Sequence, residues 1–234
     1  MIKTHPTEPM LRAFAADELP LPLAVGVSAH CEFCPECAAR VKEFEEALAC
    51  QHLAPDAPDE ALPAGFDAML AGILQQPVAT EAALALAESP RPELRVAGHS
   101  YRLPRALARH HAPRWRHLGA IRQVSLPLDE MGARANLLHI EAGGRIPEHT
   151  HKGYELTLLL AGTIEDGDTR YQAGDFIWRD ASHAHSPHTP DGCLCYTVQD
   201  APVQFTKGLS RLPSVSTSIE LGSRLLGDSG LPRD

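Results

Sequence analysis

The first ninety residues carry apolar side chains at helical spacing. Val41 and Phe44 lie three residues apart after Pro35, and proline fits the first turn of a helix. Residues 66–73 repeat the pattern, and Thr7 is suited to cap an earlier helix. This part of the chain is therefore predicted to form a small helical bundle.

The second half of the chain changes to short apolar runs that are separated by Gly, Pro and Asp. The five clearest runs are residues 120–126, 134–141, 155–161, 175–178 and 193–198. Many short strands with frequent turn residues are typical of a sandwich or barrel. The predicted fold class is therefore multi-domain, α then β, with a helical bundle followed by a β domain.

These patterns divide the chain into four parts. We expect a helical domain at residues 1–76, a linker at 77–93, a β domain at 94–200 and a C-terminal tail at 201–234. The alanine-rich centre of the linker, residues 81–88, is predicted to be helical, and the last ~20 residues of the tail are predicted to be disordered. Residues 62–74 are our candidate for an exposed helix that binds a partner.

The composition fits a folded protein of the cytoplasm. The chain has 234 residues and a 44% apolar fraction, which is enough to fill a core. No apolar run reaches the length of about 18 residues that a membrane-spanning helix needs, and the first residues lack the apolar core of a signal peptide. Six cysteines are consistent with thiols or metal ligands in that compartment. We therefore expect a cytoplasmic protein without a membrane partner.

The net charge of −9 is unevenly distributed along the chain. Residues 1–89 carry 4 Lys and Arg against 14 Asp and Glu, whereas residues 90–128 carry 8 against 1. The acidic part repels nucleic acid and suits a basic protein partner, although solubility alone would also account for it. The basic part could contact DNA, but we interpret it as a linker and first strand that pair with the acidic parts. We expect no direct binding to nucleic acid.

His30, Cys34 and Cys37 form the first candidate metal cluster. Their spacing, i, i+4 and i+7, corresponds to one face of a helix, and Cys-x2-Cys commonly puts two thiolates on one ion. A structural zinc site takes four ligands, so one more is needed. His5, which precedes the first helix, and Cys31 are the two candidates. A closed site would stabilise a small domain whose own core is marginal.

A second candidate cluster lies in the β domain. His149 and His151 share one face of a strand, and Glu155 begins an apolar strand that can run back beside them. A fourth ligand is expected in a later strand–turn–strand region, where His185 fits best. Two neighbouring histidines are alternatives, His183 and His188. Three histidines and one glutamate suit zinc, iron, manganese or nickel.

The second cluster resembles the two motifs of the cupin superfamily. The metal ligands of the first motif correspond to His149, His151 and Glu155. The second motif begins at Gly174 and ends at His185, with Asp180 and Ser182 in place of its usual Pro and Gly. The resemblance implies a cupin β-barrel of the jelly-roll type, with the four ligands on one metal ion.

The pairing of this cupin with a helical His-x3-Cys-x2-Cys segment resembles the ChrR family of zinc-binding anti-sigma factors. The resemblance covers about residues 1–200 and includes the start Thr4-His5-Pro6. It implies two zinc sites. The implied ligands are His5, His30, Cys34 and Cys37 for the N-terminal zinc, and His149, His151, Glu155 and His185 for the cupin metal.

The same resemblance implies a function. In this family the N-terminal domain binds an extracytoplasmic-function-type sigma factor and keeps it from RNA polymerase. The cupin domain is needed for release of the sigma factor in response to singlet oxygen and related oxidants. Sigma factors carry basic surfaces, to which an acidic first domain offers complementary charge. We therefore expect a transcription regulator with a sigma factor as partner, and not an enzyme.

Two alternatives stay open at the level of sequence. The cupin could be a metalloenzyme, a dioxygenase or isomerase acting on a small molecule, although no acid–base or nucleophile constellation accompanies its ligands. Cys193 and Cys195 lie two apart on a predicted strand and therefore share one face. They are either oxidant-sensing thiols or buried core cysteines.

Overall fold

The computed structural model describes residues 1–53, 64–76, 93–108 and 114–206. Its helices are α1 (Glu8–Ala15), α2 (Leu21–Phe33), α3 (Pro35–His52), α4 (Phe66–Leu74) and α5 (Arg105–Ala108). Among these residues, no helix combines the length and apolar character that crossing a membrane requires. The helix predicted at 81–88 and the predicted disorder at the end of the tail lie outside the described residues.

Eleven strands are present in the described part of the chain. They are β1 (Glu93–Val96), β2 (His99–Arg102), β3 (Arg116–Leu118), β4 (Ile121–Ser125), β5 (Arg134–Ile140), β6 (His149–His151), β7 (Glu155–Asp166), β8 (Thr169–Gln172), β9 (Phe176–Arg179), β10 (Cys193–Gln199) and β11 (Val203–Phe205). All five apolar runs of the sequence correspond to strands. β11 lies in the segment that the sequence assigns to the tail.

Local signals account for the ends of the first helices. Thr7 caps α1, since its Oγ1 accepts a hydrogen bond from a backbone N–H of the first turn at 3.4 Å. The chain turns between α2 and α3 at Cys34, which has extended backbone angles (φ −118°, ψ 97°). Cys34 precedes Pro35, and a residue before proline avoids the helical conformation. His30, Cys34 and Cys37 therefore do not share one helix face, as their spacing suggested, but flank a turn.

Seven strands form one antiparallel sheet in the order β3-β4-β5-β10-β7-β8, with β9 also paired to β7. β11 pairs with β6, and His149 forms a single bridge with His185. The arrangement fits the predicted jelly roll as a sandwich. The pairings among the described strands do not join the two edges of the sheet, so they form an open sandwich and not a closed barrel.

Strand β10 and the first half of β7, residues 155–160, are buried on both faces. On β10, Leu194, Tyr196 and Val198 pack on the face that carries the helices, whereas Cys193 and Cys195 point into the sandwich. All five side chains are at most 1% exposed. Burial on two faces explains why these strands are continuous apolar runs in the sequence, without the alternation of a half-exposed strand.

Helix α2 packs directly on the outer face of this sheet. A Cβ atom added to Gly26 would lie 2.7 Å from Leu156 Cδ2 and 3.3 Å from the ring of Tyr196. The Tyr196 hydroxyl donates a 2.7 Å hydrogen bond to the carbonyl of Pro22. One apolar cluster therefore contains side chains of α1, α2 and α3 together with side chains of the sheet.

The described residues of the basic stretch form the strands β1 to β4 and the short helix α5, which is more regular structure than the predicted linker and first strand. Two of its contacts are with acidic side chains. The Glu32 carboxylate at the end of α2 accepts a 2.5 Å hydrogen bond from the backbone N–H of Arg105. Arg122 forms a 3.0 Å ion pair with Glu141, which directly follows the neighbouring strand β5.

We expect Gly26→Val to destabilise the protein by about 1–3 kcal/mol, because the added atoms would overlap Leu156 and Tyr196 in a packed core. Denaturant unfolding of the full chain measures this change. The matched control is Gly72→Val in α4, where nothing lies within 4 Å of an added Cβ. The control should change stability by less than about 0.5 kcal/mol. Equal effects of the two substitutions would contradict a tight contact at Gly26.

Candidate metal centres

The structure brings His5, His30, Cys34 and Cys37 together, with one ligand atom of each within 4.8 Å of the others. Both cysteine sulfurs lie 3.4 Å from His5 Nδ1. His5 comes from the segment before α1, His30 from the last turn of α2, and the cysteines from the turn into α3. Of the two candidates for the fourth position, His5 is in this group and Cys31 is not.

The donor atoms of this first cluster fit a cation. His30 is fully buried and its Nδ1–H donates a 2.8 Å hydrogen bond to the carbonyl of Gly174. Its Nε2 is buried and has no hydrogen-bond partner among the described residues. Burial lowers the pKa of His30 to about 4, so the ring is neutral and has a free lone pair at neutral pH.

The two thiols of the cluster also favour a bound cation, which would stabilise their deprotonated form. Burial, together with the neighbouring Cys34, raises the pKa of Cys37 to about 12. Two thiolates side by side in this buried place are unfavourable unless a cation compensates them. Two thiolates and two neutral imidazoles form a donor set that zinc prefers.

A second group contains His149, His151, Glu155 and His185, again with one ligand atom of each within 4.8 Å of the others. His149 and His151 are the ends of β6, and Glu155 is the first residue of β7. Two backbone hydrogen bonds of 3.0 Å hold His185 beside His149. His151 Nε2 lies 3.0 Å from His185 Nε2 and 3.4 Å from Glu155 Oε2.

The alternatives to His185 have other partners. His183 is exposed and contacts Asp180 at 3.0 Å. His188 forms a 3.2 Å pair with Glu165 on the outside of the sandwich. Only His185 of these three belongs to the cluster found among the described residues, in agreement with its register in the sequence.

Burial governs the protonation of the second cluster. It lowers the pKa of His149 and of His151 to about 4, which leaves both rings neutral and able to ligate a metal. Burial raises the pKa of Glu155, while a hydrogen bond from the Gln199 side chain opposes this effect. A bound cation would favour the charged carboxylate further.

Several outer contacts, which the sequence motifs do not indicate, orient these rings. The Nδ1–H of His149 donates to the carbonyl of Pro147 at 2.8 Å. The Nδ1–H of His185 donates to Asp166 Oδ2 at 3.1 Å, and Arg179 contacts the same oxygen at 3.3 Å. These hydrogen bonds leave Nε2 of each ring for the cluster. Orientation of this kind is typical of metal-binding histidines.

The sequence pattern does not place Asp166 beside the cluster, and the reason is geometric. Strict alternation along β7 from Glu155 would place Asp166 on the opposite face of the sheet. The register between β7 and β10 shifts at Leu160, where an extra residue interrupts the pairing. Such a bulge reverses which residues face inward, so Ile164 and Asp166 point into the sandwich. A sequence signal for this irregularity is Gly162, a glycine inside β7 with a φ of +79°.

A small cavity adjoins the second cluster and is lined by apolar side chains as well as by ligands. Its volume is about 40 Å³. Since one water needs roughly 10–15 Å³ on this scale, the cavity has room for a few waters or a small oxidant. Cys195 is part of its lining. The sulfur of Cys195 lies 3.8 Å from that of Cys193, and the two residues are at most 1% exposed, as expected for core cysteines.

These features define a class of two-part proteins. A helical part with a candidate His–Cys metal cluster packs on a cupin-like sandwich, which contains the second candidate metal cluster. A family profile described as "ChrR Cupin-like domain" matches residues 104–204. The chain is 33% identical over 216 residues to the anti-sigma-E factor ChrR of Cereibacter sphaeroides, and the match covers 90% of this chain and 96% of that relative. The protein therefore belongs to the ChrR family.

A solved structure extends this similarity to the whole fold. The structure is the Rhodobacter sphaeroides SigE in complex with the anti-sigma ChrR. The match has a TM-score of 0.63 and 28% sequence identity, and it covers 85% of this chain and 100% of the other. The shared fold includes both the helices and the sandwich, because neither part alone accounts for 85% of the chain.

We expect Asp166→Ala to weaken metal binding at the cupin cluster by about 10–100-fold, because His185 loses the carboxylate that orients its ring. The amount of metal that the full chain retains against a chelator measures this loss. The control is Asp180→Ala in a nearby turn, where the carboxylate contacts only Ser182 and His183 among the residues described here. Retention of metal by Asp166→Ala at the wild-type level would contradict the assigned role.

Proposed function

We propose that this protein is an anti-sigma factor that binds an extracytoplasmic-function-type sigma factor and keeps it from RNA polymerase. The observation that carries the proposal is the 33% identity to an anti-sigma-E factor over nearly the full length of both chains. The likeness to an anti-sigma chain in complex with its sigma factor supports it. Because sigma factors act on RNA polymerase, the proposed location is the cytoplasm.

Charge and an exposed apolar helix support a protein partner for the N-terminal part. The first 89 residues carry ten more acidic than basic side chains, which complements the basic surface of a DNA-binding protein. α4 has no buried residue, and Met69, Leu70 and Ile73 are each more than 40% exposed. Apolar residues at this spacing form one stripe, as in helices that bind in a groove of a partner. We assign α4 to the sigma-binding surface.

Zinc is the metal that we propose for both clusters. His5, His30, Cys34 and Cys37 would hold the first ion in a closed tetrahedral site, where it crosslinks three segments of the helical part. His149, His151, Glu155 and His185 would hold the second, a set that also suits other divalent metals. In the proposed division of the chain, the first site belongs to a helical domain at residues 1–76 and the second to a cupin domain at 94–200, with a linker at 77–93 and a tail at 201–234.

The proposed role of the cupin domain is to cause release of the sigma factor in response to singlet oxygen or related oxidants. Its cluster is deeply buried beside a cavity that a small oxidant could enter. The same small volume disfavours the alternative function, a metalloenzyme acting on a larger organic substrate. The protein is therefore interpreted as a regulator and not as an enzyme.

We expect substitutions in the two clusters to have different effects. Cys34→Ser should remove the first metal and abolish sigma binding, because the ion crosslinks the segments that form the binding domain. His149→Ala should leave sigma affinity unchanged but reduce release after exposure to singlet oxygen. Titration with a purified sigma factor, before and after illumination with a photosensitiser, measures both quantities. Loss of binding in His149→Ala would contradict the division of roles.

We expect Ile73→Asp in α4 to lower sigma affinity by at least ~10-fold, since a charge would replace a buried anchor of the interface. The substitution should not affect stability, because Ile73 is exposed in the free chain. Ala68→Asp adds the same charge to the opposite side of the helix and is the matched control. Equal affinities of the two variants would exclude α4 from the interface.

A further inference from the structure

The turn that joins β8 to β9 holds the first residues of the chain. Asp175 is fully buried, and its Oδ1 accepts hydrogen bonds from the backbone N–H groups of Lys3, at 2.5 Å, and Thr4, at 3.0 Å. Its Oδ2 accepts another from the N–H of Gln172 at 2.8 Å. The N–H of Phe176 donates to the carbonyl of Thr4 at 3.0 Å. The cupin domain thus fixes the backbone immediately before His5.

The same turn also contacts the second histidine of the N-terminal cluster. The carbonyl of Gly174 accepts the 2.8 Å hydrogen bond from His30 Nδ1, and the ring of Phe176 lies edge-on to the His30 ring at 5.7 Å. The φ angle of Gly174 is +94°, and a Cβ there would lie 2.6 Å from the side chain of Ile2. Only glycine permits this conformation and this close approach.

We propose that this turn, residues 172–176 of the cupin domain, is the outer hydrogen-bond shell of the N-terminal metal site. Gly174 fixes the ring of His30 so that Nε2 is presented to the ion. Asp175 fixes the backbone from which His5 projects. This inference rests on the metal assignment made above and extends it, because it makes retention of the first metal depend on a cupin side chain, Asp175, that is not a ligand. Asp175 is a positioning residue in this scheme.

Two properties of the site explain why metal binding should depend on Asp175. His5 lies in a segment without helix or strand structure, so ordering this ligand on its own would cost conformational entropy at the moment of binding. The buried carboxylate of Asp175 accepts hydrogen bonds from the backbone N–H groups of Lys3 and Thr4, and charge-assisted hydrogen bonds of this kind are strong. The bonds thereby preorganise His5, and loss of outer contacts of this kind typically weakens metal binding by about 10–100-fold.

The test compares Asp175→Ala with two other variants in the full-length protein. Affinity for zinc is measured by competition with a chromogenic chelator. Binding of Co²⁺ is followed through the thiolate-to-metal absorption band, which reports the first site alone because the cupin cluster contains no cysteine. We expect Asp175→Ala to weaken binding at the first site by about 10–100-fold, with metal at the cupin cluster unchanged.

The other variants separate positioning from general stability. Asp175→Asn retains one acceptor oxygen and should bind metal about 3–10-fold more weakly than the wild type. Tyr196→Phe removes the hydrogen bond to Pro22, which also joins the helices to the sheet but touches no ligand. It should lower the unfolding temperature and leave metal affinity within about 3-fold. If Asp175→Ala does not fold, the comparison of Asp175→Asn with Tyr196→Phe decides: the proposal requires weaker metal binding in Asp175→Asn.

Two results would overturn the proposal: unchanged affinity in the Asp175 variants, or an equal loss in Tyr196→Phe. Either result, obtained with a normal thiolate band in the wild type, leaves the metal assignment and the anti-sigma function intact. Absence of the thiolate band from the wild type would instead refute the metal assignment itself, and the present proposal with it. Sigma binding, measured on the same samples, reports independently on the anti-sigma function.

Discussion

The packing of α2 on the sheet is the contact on which the rest of the structure depends. Buried residues occur on every side of this helix, because α1 and α3 cover one side and the strands β7 and β10 cover the other. Gly26 permits the close approach, and the hydroxyl of Tyr196 satisfies a carbonyl in the first turn of the helix. Since α2 also carries His30, this contact fixes the first cluster relative to the sandwich.

The strand β9 lies between contacts to the two candidate metal clusters. At its start, β9 follows the turn that contacts His30. At its end, Arg179 contacts Asp166, which orients His185 in the second cluster. Four residues of strand span only about 13 Å. The strand β9 therefore links contacts of the cupin cluster to contacts of the helical part.

Both clusters contain imidazole rings whose Nδ1–H donates a hydrogen bond to an oxygen atom. The acceptor is a backbone carbonyl for His30 and His149, and a carboxylate for His185. In each case the hydrogen bond selects the tautomer that leaves Nε2 for the cluster, and burial keeps the rings of His30 and His149 neutral. The result is a pair of preorganised sites in a small protein, one suited to crosslinking helices and the other enclosed beside a small cavity.

The sequence by itself predicted five of the strands as apolar runs, the helix that begins at Pro35 and seven residues of the two clusters, because periodicity, capping and ligand spacing are local properties. Spacing left the fourth ligand of the first cluster open between His5 and Cys31. The cupin motifs even distinguished His185 from its neighbours. Only the tertiary structure decided that the helices and the sheet share one core. It also showed that a bulge turns Asp166 inward and that Asp175 holds the start of the chain. These features depend on contacts between residues as far as 174 positions apart, and no local pattern encodes such contacts.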